Sequence, residues 1–266
     1  MNHRKWLLAA TDIDVRIGNR DGRTILDGIS LIVCNGDRVC ILGQNGSGKT
    51  TLLDVLSGER APNSGSVCYS RNGGRSANNS NEPSFPIAYV HQNPEGSCIP
   101  DFTVAENLAL AIMRGHRPSI WRSAISKVRT SQILEALKTV GLDMEFCHRL
   151  DRSVNTLSGG EKQLLALAMV LIQKPSVLLL DEFTASLDNR NIKKGMELVD
   201  AYASGIDSAT VLVTHDIQRA VDWATRILVL NRKRIVLRIS SEEKQLTRRA
   251  SLVSKIREEV ERVHDE

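Results

Sequence analysis

Eight consecutive residues, Gly43-Gln44-Asn45-Gly46-Ser47-Gly48-Lys49-Thr50, have the types and spacing G-x-x-x-x-G-K-[ST] of a loop that wraps phosphate. Glycines let the backbone close on an anion, and its N–H groups act together with the start of a following helix. In such a loop Lys49 reaches the β- and γ-phosphates of a nucleotide. Thr50 holds Mg²⁺ through its hydroxyl, and Thr51 continues into the helix.

Phosphoryl transfer also needs an acid to hold the metal and a group to orient water. Asp181 closes the apolar run Val177-Leu178-Leu179-Leu180, where a metal-associated carboxylate belongs. Glu182 follows it and reads as the general base or water-orienting residue. Gln92 and His215 each follow another apolar run. From there Gln92 can touch Mg²⁺ or water, and His215 can reach the γ-phosphate. Taken singly, Gln92 reads better as a polar loop residue, and a lone histidine such as His215 is more often structural. Ser158-Gly159-Gly160 is a second glycine-rich helix start, hence a second anion site. One complete phosphate loop and one extra helix start make sense if two chains meet head to tail, each loop covered by the other's Ser-Gly-Gly.

These groups need a scaffold. Arg38–Leu42 reads as a buried strand into the phosphate loop, and a helix runs out of it to Ser57. Residues 5–17 and 25–33 read as strands around a hairpin turn at Asn19-Arg20-Asp21-Gly22, and Asn35-Gly36-Asp37 as a further turn. Residues 60–65 read as loop, 66–69 as a short strand, 70–84 as a mobile polar surface loop, and 87–90 as a buried strand. Thr103 and Glu106 form a capping box that opens helical patterning to about residue 140. Its basic residues Arg114, Arg117, Arg122, Lys127 and Arg129 suit a solvated face, or one turned to anionic lipid or a partner. A helix is expected over 161–173 and strands over 177–180, 211–213, 227–230 and 234–239, the last pair turning at Asn231-Arg232-Lys233. Residues 242–264 read as charged and helical, with Leu252, Ile256, Val260 and Val263 on one face. The expected fold is α/β: a P-loop NTPase with a doubly wound, mainly parallel sheet, an N-terminal antiparallel β subdomain and an inserted α-helical subdomain. Residues 1–240 make the nucleotide domain, with the helical part at about 93–170, and 241–266 a helical tail.

With 266 residues and 41% hydrophobic content, a sizeable core is available. A net charge of +4 is too mild to argue for nucleic acid, and none is expected as partner. The five cysteines form no C-x-x-C pair, which argues against zinc ribbons and redox dithiols. The longest apolar run, Leu164–Ile172, falls well short of the ~20 residues of a membrane span. Trp6–Ala10 is too short for a signal-peptide core. If the chain works at a membrane, a partner must cross it.

Over roughly residues 7–238 the chain resembles the ATP-binding subunits of ABC transporters. Leu157-Ser158-Gly159-Gly160-Glu161-Lys162-Gln163 matches the signature motif, Gly43–Thr50 Walker A, and Val177–Glu182 Walker B. Ser186-Leu187-Asp188 matches the D-loop, Gln92 the Q-loop and His215 the switch histidine. The resemblance implies Mg²⁺-dependent ATP hydrolysis in a homodimeric sandwich, with Ser158 and Gly160 on the γ-phosphate in trans. It implies that Gln92 couples nucleotide state to a membrane permease, and that the subunit sits on the inner face of the plasma membrane. Two positions depart from the family. Ile17 aligns where an aromatic residue usually stacks on adenine, and Phe183 replaces the usual proline after the catalytic glutamate. Phe102–Ala111, Asp181–Asp188 and Ser240–Lys244 are similar to a bacterial importer group for tryptophan or tyrosine, which works with a permease and a binding protein. Alternatives are a soluble ABC-type ATPase uncoupled from transport, or a nucleotide-dependent regulatory module with little turnover. The presence of Glu182 and His215 favours turnover.

Overall fold

A computed structural model describes residues 5–18, 22–71, 74–76, 87–93, 97–113, 127–140, 148, 150–185, 187–205 and 208–262. The chain divides into two compact units. The first comprises Met1–Tyr89, Ser176–Glu182 and Asp207–Glu266; the second comprises Val90–Pro175 and Phe183–Ile206.

The first unit carries two sheets. Strands β1 (Trp6–Ile17), β2 (Arg23–Cys34), β4 (Ser64–Arg71) and β5 (Gly74–Ser76) form an antiparallel sheet in the order β2-β1-β4-β5. The other sheet runs β10-β9-β3-β8-β7-β6, from β3 (Arg38–Leu42), β6 (Ile87–Val90), β7 (Val177–Asp181), β8 (Ala209–Val213), β9 (Arg226–Asn231) and β10 (Arg234–Ile239). Strands β9, β3, β8 and β7 are parallel; β10 returns antiparallel to β9. The parallel strands are apolar without alternation because both of their faces are covered. Every residue of β7 and β8 is buried. Leu8, Ile13, Leu26 and Ile29 of the antiparallel sheet share one core with Val39, Ile41, Leu179 and Val211, and with Leu52, Leu53 and Leu56 of helix α1 (Lys49–Ser57). Each such fully buried leucine contributes about 1.5–3 kcal/mol of burial free energy. Helices α6 (Ile217–Trp223), α7 (Ser241–Leu246) and α8 (Arg249–Glu261) complete the unit.

The second unit is helical: α2 (Val104–Met113), α3 (Lys127–Val140), a 3₁₀ turn at Val154–Thr156, α4 (Gly159–Leu171) and α5 (Asn189–Gly205). The capping box at α2 forms as expected: Thr103 N donates to Glu106 Oε2 at 2.7 Å, and Glu106 N to Thr103 Oγ1 at 3.2 Å. Fully buried Asn107 ties the preceding loop to α2 by bonding both Ile99 N and Ile99 O.

Three expectations need correction. Strand β4 spans Ser64–Arg71 rather than 66–69, and β5 occupies 74–76 inside the stretch read as a mobile loop. Backbone pairing needs no apolar side chain, so composition hid both. Helix α4 begins at Gly159 because Ser158 caps it. The tail is helical, in two parts: Ser240 caps α7, and the chain leaves helical geometry at Thr247 and Arg248 before α8. The turn residues 19–21, residues 77–84, Arg114, Arg117, Arg122, Cys147, Ser186 and Val263 lie outside the described residues.

Candidate nucleotide site

Three adjacent parallel strands deliver the chemistry to one sheet end. Strand β8 lies between β3 and β7, and Val213 is in register with both Ile41 and Asp181. Beyond that level the phosphate loop leaves β3, Thr214 and His215 leave β8, and Asp181-Glu182 ends β7. The ends are stitched together, Thr214 N donating to Ile41 O at 3.2 Å and Glu182 N to Val213 O at 3.1 Å. In an open α/β sheet this carboxyl-end crevice is where ligands bind.

The loop fits phosphate in detail. A Cβ on Gly43 would lie 2.3 Å from the Leu230 carbonyl oxygen and 2.7 Å from Ser47 Oγ, so only glycine fits. Gly48 has φ +102° and caps α1 with no side-chain bond, leaving the helix N–H groups for an anion. Ser47 Oγ is buried and, among the described residues, has no hydrogen-bond partner. Lys49 is buried; its Nζ donates to the carbonyls of Gly43 and Gln44, both at 3.0 Å, and lies 3.6 Å from Glu182 Oε1. Gln44, Asn45, Gly46 and Thr50 are exposed, and Thr51 is half-buried.

Asp181 is buried, with the Thr50 hydroxyl near its carboxylate. Burial, with the neighbouring Glu182 charge, raises its pKa against the opposing pull of Thr50, Tyr89 and Lys49. A buried carboxylate beside a threonine hydroxyl is an all-oxygen donor pair, the chemistry a hard cation such as Mg²⁺ takes. Glu182 itself has φ +41°, a left-handed backbone that a glutamate rarely adopts. Strain of this kind concentrates at functional sites. His215 is exposed, one residue before Asp216 caps α6 by accepting from Arg219 N at 3.0 Å. Ile17 ends β1 and is 50% exposed, unusual for a large aliphatic residue.

The remaining expected residues belong to the second unit. Gln92 is exposed just past β6. Ser158 and Glu161 form a reciprocal capping box at α4, with bonds of 2.8 and 3.2 Å. Gly159 is open, with no atom within 4 Å of a built Cβ, whereas a Cβ on Gly160 would meet Asn191 Nδ2 at 2.9 Å. The same Asn191 donates twice to Asp188, at 2.8 and 3.1 Å. The expected D-loop acid and the Ser-Gly-Gly turn are therefore joined through Asn191. Phe183, where proline was expected, is fully buried and packs against Gly195.

Reading by motif missed Tyr89. Its run Ile87-Ala88-Tyr89-Val90 looks simply apolar, yet the Oη lies 3.3 Å from Asp54 Oδ1 and 3.4 Å from Asp181 Oδ2. Burial, with the charges of Asp181 and Asp54, pushes this phenol well above its ordinary pKa, so it stays a donor. The available signal was that a tyrosine in a buried strand needs a partner for its hydroxyl.

A family model described as ABC transporter matches residues 26–185. A tyrosine transport ATP-binding protein of Clostridioides difficile is 32% identical over 226 residues, 84% of this chain and 86% of that protein. The lipoprotein-releasing system ATP-binding protein LolD of Psychrobacter arcticus is 34% identical, over 78% of this chain and 88% of its own. Among solved structures, a dimeric ATP-binding cassette in a post-hydrolysis state with ADP and Pi superposes with a TM-score of 0.73 at 24% identity, covering 88% of this chain and 99% of that one.

Proposed function

The chain belongs to the ABC transporter family as one of its ATP-binding ATPase subunits, and on that premise we propose how its residues divide the work of transport-coupled ATP hydrolysis. The observation that carries the proposal is the convergence of the phosphate loop, Asp181-Glu182 and His215 on the carboxyl ends of β3, β7 and β8. Gly43–Thr51 wraps the triphosphate with backbone N–H groups, and Lys49 turns from the Gly43 and Gln44 carbonyls to the β- and γ-phosphates. Ile17 gives the adenine an aliphatic rather than an aromatic surface. Thr50 and Asp181 would hold Mg²⁺. When bound, that cation would supply positive charge against the charge of the nucleotide phosphates. Glu182 takes a proton from the attacking water, and His215 holds the γ-phosphate and helps place that water.

Ser158, Gly159, Gly160 and Asp188 act on the nucleotide of a second copy. Ser158 Oγ accepts from Glu161 N and so keeps its own proton to donate. The dimer works against a separate integral membrane permease on the inner face of the membrane, with an extracytoplasmic binding protein delivering cargo. No helix among the described residues is long and apolar enough to cross a membrane. Gln92 passes nucleotide state to the permease. Similarity to the tyrosine transport protein supports import of an aromatic amino acid. The residues above read ATP, while cargo is chosen by the partners. Size-exclusion chromatography of Glu182→Gln in Mg-ATP tests the sandwich. A shift from monomer to dimer that needs ATP is expected, and an ATP-independent profile contradicts it.

A further inference from the structure

Tyr89, Asp54 and Asp181 belong to three different elements, β6, α1 and β7, yet meet at one phenolic oxygen. Asp54 is four residues beyond Thr50 on α1, one turn along the same face. It is also paired with Arg60, Nε to Oδ2 at 3.9 Å. Tyr89 Oη lies 3.3 Å from Asp54 and 3.4 Å from Asp181. A phenol has one proton, and here two carboxylates compete for it. The bond to Asp181 takes its Oδ2 and leaves Oδ1 for a cation, while Asp54 gives the hydroxyl a second acceptor. Neither Tyr89 nor Asp54 lies in any motif above.

Resting on the reading of Asp181 as the Mg²⁺ carboxylate, we propose that Tyr89 is a positioning residue: its hydroxyl, shared with Asp54, orients Asp181 toward the cation. The Thr50 hydroxyl lies near the same carboxylate from the phosphate-loop side, and Tyr89 reaches it from β6. Groups that hydrogen-bond a metal-binding side chain in this way fix its orientation and thereby its affinity.

The test separates metal from nucleotide. Mn²⁺ binding to the full chain is followed by electron paramagnetic resonance with a non-hydrolysable ATP analogue, and analogue affinity is measured separately in EDTA. Tyr89→Phe, which keeps the ring, should weaken Mn²⁺ about tenfold and leave the EDTA affinity within about twofold. Asp54→Asn keeps an acceptor oxygen but removes the competing charge. It should hold Mn²⁺ within about threefold of wild type, since the proton then goes to Asp181. Unchanged Mn²⁺ affinity in Tyr89→Phe overturns the proposal. So does an equal fall in EDTA, which marks mere damage to the loop, or an Asp54→Asn variant as weak as Tyr89→Phe. If wild type shows no analogue-dependent Mn²⁺ site, the reading of Asp181 fails first and takes this one with it.

Discussion

The Lys49 ammonium stands 3.6 Å from the Glu182 carboxylate, with the lysine 6% and the glutamate 14% exposed. It also bonds two loop carbonyls, so it is held by groups that an incoming phosphate can replace. A charge-assisted donor of this kind is worth about 1.5–3 kcal/mol. Lys49→Met should therefore lower nucleotide affinity about 10- to 100-fold in a fluorescent-ATP titration. Wild-type affinity would mean that the phosphates bind elsewhere.

Ile17 is half exposed at the end of β1, opposite Arg23 of β2. An aromatic ring there would add stacking worth about 0.5–1.5 kcal/mol. Ile17→Tyr should tighten ATP about 2- to 10-fold in the same titration. If affinity does not change, the adenine does not lie against β1.

The last turn of α8 is fastened to the site by two amides. Gln44 Nε2 donates to Val260 O at 3.0 Å, and Asn231 Nδ2 to Glu259 O at 2.8 Å. These side chains satisfy carbonyls that a helix end leaves open. Asn231→Ala should cost about 1 kcal/mol and speed amide exchange in the last turn of α8, with slow exchange kept around Leu252. Uniform exchange across α8 would show that the amide does not secure that end.

Asp222 forms a two-pronged pair with Arg249 at the start of α8, with both bonds at 2.7 Å. The Arg249 hydrogen bonds hold its carboxyl below the ordinary value. The folded pKa is thus lower than the unfolded one. The pair's contribution is complete above the unfolded value of about 3.9 and is lost as pH falls through the depressed folded value. Asp222→Asn should lower Tm slightly at pH 7, because the pair is exposed and screened. The gap should close at pH values below the ordinary carboxylate range. A gap that persists there would assign the effect to packing.

Much of this arrangement is legible in the chain because it rests on local signals. The spacing of Gly43–Thr50 fixes a loop between a buried strand and a helix, and β3 and α1 flank it as expected. Thr103 and Glu106 mark a helix start that forms with both bonds. The turn at Arg232-Lys233 is legible from its neighbours, although both residues adopt positive φ without a glycine, as a two-residue hairpin demands. What stayed hidden depends on distant partners. Tyr89 meets Asp54 35 residues away and Asp181 92 residues away, and no periodicity encodes that meeting. Asn191 looks like any residue in the first turn of a helix until Gly160 packs against it. Strand β5 is hydrogen-bonded backbone at an edge, invisible to hydropathy.

The central claim is that Glu182, strained in its backbone and paired with Lys49, is the base that activates water. Steady-state ATP hydrolysis by wild type and Glu182→Gln, with and without Mg²⁺, tests it most directly. Wild type should show Mg²⁺-dependent turnover, and kcat of the variant should fall about 10²–10⁴-fold with nucleotide affinity retained. Turnover by Glu182→Gln within a few-fold of wild type would contradict it.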